Sequence, residues 1–249
     1  MHRKFREPIH YSESPLISPA VPQLHRSVNH RLCGLLVFWA PYSSGKTFAL
    51  KSLTRSLRSE GKNIIYLDGK NFKWQSNPLF AWLRVAVGLT PNANGFEEYL
   101  PYQNGNITTI IVDHFEDLMK VPDTGPLFVG LARVSRKTKR FNILVAVSSA
   151  VNAKDIILWN GHSKIRLACR PEAARWDAKT MRNLALGSDC VQALSEANAA
   201  EVVECAVASG SPGKVEELAS LVSCRRATET ILAEWEAGIQ ILSPYAIYP

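Results

Sequence analysis

A chain of 249 residues, 46% hydrophobic and 20% charged, can bury one large core and is too apolar for wholesale disorder. Its net charge of +7 admits contact with nucleic acid or anionic lipid without requiring either. Five scattered cysteines with no CxxC pair, and histidines with no HExxH, argue against a disulfide framework and against a zinc site. No apolar run reaches about 18 residues and no secretory signal opens the chain, so the expectation is an intracellular protein, cytoplasmic or nuclear, with no membrane span.

Residues 1–30 hold Pro8, Pro15, Pro19 and Pro22 and read as an irregular arm with one short helix. Leu35–Ala40 is a continuous apolar run, as a strand buried on both faces should be. A loop follows, and then a helix from Lys46 to Arg58, with Phe48, Leu50, Leu53 and Leu57 near helical spacing and Gly61 beyond its end. Asn63–Asp68 is a second strand. A helix is expected over 78–89, with Trp82 in the core, and turns over 90–106. Further strands are expected at 107–113, 141–148 and 164–168, with a helix over 125–139. Strands alternating with helices predict an α/β fold with a mostly parallel sheet.

After Arg170–Pro171, alanine, glutamate and leucine dominate and strand-like runs vanish until Ile239. Helices are expected near 172–186, 189–195, 199–209, 213–222 and 226–238. The division is an arm over 1–30, a core over 31–169 and a helical, lid-like domain over 170–249.

The segment Ala40-Pro41-Tyr42-Ser43-Ser44-Gly45-Lys46-Thr47 lies between a buried strand and a helix N-terminus, where successive backbone N–H groups face an anion. Gly45 allows close approach of the backbone, Lys46 brings a point charge to the terminal phosphates, and Thr47 offers a hydroxyl to Mg²⁺. The pattern resembles Walker A, GxxxxGK[ST], with alanine at position 40 in place of the first glycine. Ile107–Asp113 resembles Walker B, an apolar strand ending in an acid that holds Mg²⁺.

Together these motifs resemble the ASCE division of P-loop NTPases, in which a further strand lies between the two motif strands, and within it AAA+ and STAND ATPases. The resemblance implies a three-layer αβα core with a C-terminal helical lid, bound ATP and Mg²⁺, and a phosphate cradle of Pro41, Tyr42, Ser43, Ser44, Gly45, Lys46, Thr47 and Phe48. Thr47 and Asp113 are the metal candidates. The residue after the Walker B acid is His114 where AAA+ proteins usually carry glutamate, so Glu116 is the candidate base, with Lys46 and Ser148 (or Ser149) beside the γ-phosphate. Lys214, in the turn and helix start Ser209–Leu218, is the candidate lid cation called sensor 2. Arg133, Arg136, Lys137, Lys139 and Arg140 form the densest basic run, a candidate contact for nucleic-acid phosphates or an arginine finger for a neighbouring copy; Lys154, Lys164 and Arg166 are the cations nearest the usual finger position. The two leading expectations are an ATPase coupled to nucleic acid, a partner protein or a homo-oligomer, and a nucleotide-gated interaction module with little hydrolysis. A small-molecule kinase is disfavoured, because its lid is usually inserted within the core.

Overall fold

The computed structural model describes residues 17–29, 34–72, 107–159, 165–221 and 223–245, with positions 79, 81 and 83. Among these residues five strands form one parallel sheet: β1 (Leu35–Trp39), β2 (Ile64–Asp68), β3 (Thr108–Asp113), β4 (Phe141–Val147) and β5 (Arg166–Leu167), in the order β2-β3-β4-β1-β5. The added strand β4 thus lies between β1, which feeds the phosphate loop, and β3, which ends in Asp113. Every residue of β1, β3 and β4 is buried, which explains their unbroken apolar runs: both faces are covered by helices.

Among the described residues two helices cover one face. Helix α1 (Val21–Asn29) buries Val21, Leu24 and Val28 and packs on α2 (Lys46–Ser59). The short helix expected in the N-terminal arm is therefore fastened to the core: Gln23 Oε1 accepts from the Arg170 amide at 2.8 Å, and Ser27 Oγ donates to the Ala168 carbonyl. The chain then leaves β1 toward one sheet edge and β3 and β4 toward the other. Right-handed crossovers therefore put α4 (Thr124–Thr138) and α5 (Ala150–Leu158) on the opposite face. A one-turn α3 (Phe115–Met119) bridges β3 and α4.

Some boundaries differ from expectation, each for a local reason. Helix α5 was not among the expected elements; its start is marked by Ser149, whose hydroxyl accepts from the Asn152 amide at 3.3 Å. The first helix after β5 begins at 178 rather than 172, because Asp177 caps it through the Thr180 amide (3.0 Å) and hydroxyl (2.6 Å), a cap worth about 1 kcal/mol. The expected helix over 78–89 lies mostly outside the described residues; positions 79, 81 and 83 are helical, and Leu79 and Leu83 are buried.

Beyond β5 the chain is helical: α6 (Ala178–Leu186), α7 (Asp189–Gln192), α8 (Glu196–Ser209), α9 (Val215–Ser220) and α10 (Cys224–Leu242). The strand-like texture at Ile239 is a continuation of α10, whose buried residues Thr228, Ile231, Trp235, Gly238 and Leu242 recur at three- and four-residue spacing. This helix returns to the sheet. Trp235 meets Trp39 edge-on with ring centroids 5.6 Å apart, a pair worth about 0.5–1.5 kcal/mol beyond area burial. Gly238 lies so close that a Cβ there would stand 2.1 Å from the Trp39 ring. The helical layer is thus seated on the end of β1 from which the phosphate loop springs.

Candidate functional site

The loop between β1 and α2 has two residues in the left-handed region, Ser43 (φ 63°) and Gly45 (φ 90°). Gly45 caps α2 without a side-chain bond, and its carbonyl takes the first helical amide, that of Ala49, at 2.9 Å. The other amides of the first turn have no acceptor within the helix and open toward the loop. Lys46 folds back, donating to the carbonyls of Ala40 (2.9 Å) and Pro41 (2.8 Å), which holds its ammonium inside the loop's curve. Burial pulls that ammonium down to about 8, against the opposing attraction of the Glu116, Asp113 and Glu234 carboxylates. Ser44 Oγ is buried with no hydrogen-bond partner among the described residues, an orphaned polar atom at the floor of the loop.

A cleft of about 480 Å³ opens over this loop at the C-terminal edge of the sheet, lined by Tyr42, Ser43, Gly45, Lys46, Thr47, Phe48, Lys51, Asp113, His114, Glu116, Ser148 and Gly213. Its location, outside the carboxyl ends of parallel strands, is the usual ligand position of open α/β sheets. The fold thus brings together positions that are 67 (Asp113) and 102 (Ser148) residues distant from Lys46 in sequence. Pro41 and Ser44 lie beneath the lining and are buried.

Asp113 is buried at the end of β3, directly opposite Asp68 of β2. Tyr66 Oη donates to its Oδ2 at 2.7 Å, and the His114 amide donates to its Oδ1 at 2.9 Å. Burial and the neighbouring Asp113 carboxylate push the Tyr66 hydroxyl far above its ordinary range, so it remains a donor. His114 takes a left-handed backbone (φ 49°), and its Nδ1 lies 2.9 Å from Asp68 Oδ1. Glu116, in the first turn of α3, accepts through Oε1 from the Ser148 amide, joining the end of β3 to the end of β4.

Connecting segments of the C-terminal helical layer touch the loop backbone directly. Gly213 N donates to the Ser43 carbonyl at 2.9 Å, and Trp176 Nε1 donates to the Ser44 carbonyl at 3.0 Å. Trp176 also packs on Phe48, with centroids 5.9 Å apart. Lys214 is not among the cleft residues: it pairs with Glu217, and the neighbouring Gly213 takes the lining position. Lys51 was missed in the sequence, although it stands one helical turn after Thr47 and so shares its face. Trp176 and Asp68 left no local signal, because their roles depend on contacts 132 and 46 residues away.

The other cations lie apart from this cleft. Arg133, Arg136, Lys137, Lys139 and Arg140 are exposed along the end of α4 and just beyond it. Arg166 pairs in register with Leu36 near the start of β1, at the opposite edge of the sheet. Lys154 is on α5, and Lys164 lies outside the described residues. Among the described residues no helix is long and apolar enough to cross a membrane, and no group of three or more His, Cys, Asp or Glu forms a preassembled metal centre.

No family model matches the chain, and no curated protein does. Among solved structures, the Cdc6 protein of Pyrobaculum aerophilum superposes with a TM-score of 0.50 at 11% identity, over 92% of this chain and 67% of that one. The Orc1 protein of Aeropyrum pernix, in complex with DNA, gives 0.44 at 15% identity, over 86% and 64%. PCH-2 of C. elegans gives 0.42 at 13%, over 89% and 67%. The chain spans about two thirds of the length of these proteins. At such identities the likeness is one of fold. With its strand order, the chain has the three-layer fold of an ASCE-division P-loop NTPase, in the form seen in AAA+ ATPases with a helical lid after the sheet.

Proposed function

We propose that the chain binds Mg-ATP in this cleft and hydrolyses it. The observation that carries the proposal is convergence: the start of α2, with Lys46 and Thr47, and the acidic residues Asp113 and Glu116 line one opening. The donor set fits the ligand. An N-terminal helix end and an ammonium suit a polyphosphate, and a hydroxyl beside a carboxylate suits Mg²⁺, a hard cation that takes oxygen ligands and keeps several waters. Ser44 Oγ, buried and without a partner among the described residues, is a further polar group beneath the loop.

The division of labour follows from chemistry. Loop amides and Lys46 hold the β- and γ-phosphates. Thr47 and Asp113 hold the cation, which when bound neutralises charge building on those phosphates. Glu116 orients or deprotonates the attacking water, and Ser148 lies beside the γ-phosphate. Gly213 and Trp176 link the loop backbone to the lid, so a change in the loop on phosphate binding is passed to α9 and α10. Turnover in such a module serves a macromolecule, nucleic acid or protein, or a second copy of the chain. The test is phosphate release with Mg-ATP by wild type and by Asp113→Ala; turnover in wild type that the substitution leaves intact would refute the assignment.

A second reading, a nucleotide-gated interaction module, is favoured by two contacts. Glu116 already holds the Ser148 amide, and His114, which replaces the usual glutamate, is tethered to Asp68. Tight Mg-ATP binding without phosphate release, with and without nucleic acid, selects this reading.

A further inference from the structure

Charge is divided unevenly along the chain. Residues 170–249 carry eleven acidic and seven basic side chains, a net of −4, so residues 1–169 carry +11. The fold then gathers much of that excess at one place, the edge of the sheet where the strands begin. Backbone bonds locate it. The Thr108 amide at the start of β3 donates to the Arg140 carbonyl at 3.0 Å, and the Thr109 amide to the Asn63 carbonyl at 2.8 Å. Asn142 Nδ2, at the start of β4, donates to the Val28 carbonyl at the end of α1 at 2.9 Å. The C-terminal ends of α1, α2 and α4 therefore meet at this edge, opposite the cleft.

From these ends come Arg58 and Lys62 before β2, and Arg136, Lys137 and Lys139 at the end of α4, with Arg166 at the start of β5. In residues 25–29, 55–63, 133–141 and 165–167 the only acidic side chain is Glu60, which bonds His25. Arg136 is close enough to Arg166 to lower the pKa of its guanidinium, after the larger effect of burial. Basic residues at helix C-termini compensate each helix dipole separately. That does not explain why two elements on opposite faces of the sheet, α2 and α4, and a strand start from between them, crowd cations onto one edge.

We infer that this edge binds the phosphate backbone of double-stranded nucleic acid. Five strands about 4.8 Å apart make an edge of roughly 19 Å, over which a duplex carries roughly eleven charges. Arginine predominates over lysine in the four segments, as phosphate recognition favours. Among the described residues the exposed large apolar side chains are Ile17, Tyr42, Phe48, Val151, Leu158, Leu186 and Leu221, and none lies in these segments. Single-strand binding uses aromatic stacking platforms, and membrane docking uses inserted apolar side chains; the described residues of this edge offer neither.

The inference gives a chemical identity to the partner and is tested apart from turnover. The full chain is titrated into a labelled duplex of about 20 base pairs of arbitrary sequence, read by fluorescence anisotropy across roughly 50–200 mM salt. Arg136→Glu/Lys137→Glu and, on a separate element, Lys62→Glu are compared with Lys179→Glu on α6 and with Lys46→Ala. Wild type is expected to bind with a steep salt dependence. The double variant loses at least tenfold in affinity, and its log–log salt slope is shallower by about 1.8, at about 0.9 per phosphate contact. Lys62→Glu loses at least threefold, while Lys179→Glu and Lys46→Ala stay within twofold. Circular dichroism confirms that the variants remain folded. The inference is overturned if wild type fails to bind duplex, if the double variant binds like wild type, or if single strands or phosphatidylserine vesicles bind more tightly than duplex. Failure of nucleotide binding with retained duplex binding would overturn the proposed ATPase and leave this edge standing.

Discussion

Replacing Gly213 with alanine adds one methyl group at the seam between lid and phosphate loop. The glycine has no left-handed φ, so alanine meets no backbone penalty there. The cost is contact alone: the new Cβ would lie 2.7 Å from the Ser43 carbonyl oxygen, 2.9 Å from its Cβ and 3.2 Å from its Cα. Relief requires the turn to withdraw by roughly 0.7 Å, toward the 3.3–3.6 Å at which carbon and carbonyl oxygen normally meet. That stretches the 2.9 Å bond from Gly213 N to the Ser43 carbonyl past useful length. A lost hydrogen bond and local overpacking together cost about 1–3 kcal/mol. For a chain of this size that lowers the thermal midpoint by about 3–10 °C. The assay is denaturant and thermal unfolding, with Gly130→Ala as the control. A Cβ at Gly130 meets nothing within 4 Å in the middle of α4, so alanine there should stabilise by about 0.5–1 kcal/mol. A Gly213→Ala protein as stable as wild type would refute the close seating of the lid on the loop.

Glu116→Gln keeps an acceptor for the Ser148 amide but loses the carboxylate, so phosphate release should fall about 10²- to 10⁴-fold with the thermal midpoint unchanged; equal turnover would remove Glu116 from the chemistry. Lys46, held down to about 8 by burial, is charged below that pH and neutral above it, so triphosphate binding above pH 8 must take up a proton. Affinity should weaken by up to about tenfold per unit above pH 8, and calorimetry in buffers of different ionisation enthalpy should show the uptake. The nucleotide-free protein should also gain stability between pH 8 and 10.5, because only the unfolded lysine holds its proton in that window. Gly238→Ala places a methyl 2.1 Å from a Trp39 ring fixed by Trp235 and by its bond to the Ser148 carbonyl, so it should cost at least about 3 kcal/mol in unfolding experiments.

The parallel sheet was legible because β1, β3 and β4 are buried on both faces, which writes unbroken apolar runs into the sequence. Strand β5, expected over 164–168, is present but only two residues long, Arg166–Leu167, so its signal in the sequence is weak. The phosphate loop was legible because its chemistry is local: Gly45, Lys46 and Thr47 act where they stand. Helix α5 escaped because its apolar residues give no separate periodic run after β4, and only the Ser149 cap marks it. The lid's hold on the loop was invisible for a different reason. Trp176 and Gly213 act through single hydrogen bonds to backbone carbonyls, which any sequence at Ser43 and Ser44 would supply. Lys214 carried the charge that drew attention to that turn, whereas its neighbour without a side chain is the one that fits against the loop. The basic run was legible as charge, but its companions Arg58, Lys62 and Arg166 are brought beside it only by the topology of the sheet.

The most direct test of the nucleotide cleft is calorimetric titration of Mg-ATP into wild type and Lys46→Ala at pH 7. Saturable binding by wild type at one site per chain, weakened at least tenfold in the variant and weakened again without Mg²⁺, is the expected result. Equal affinities for the two proteins would contradict the phosphate cradle on which the functional assignment stands.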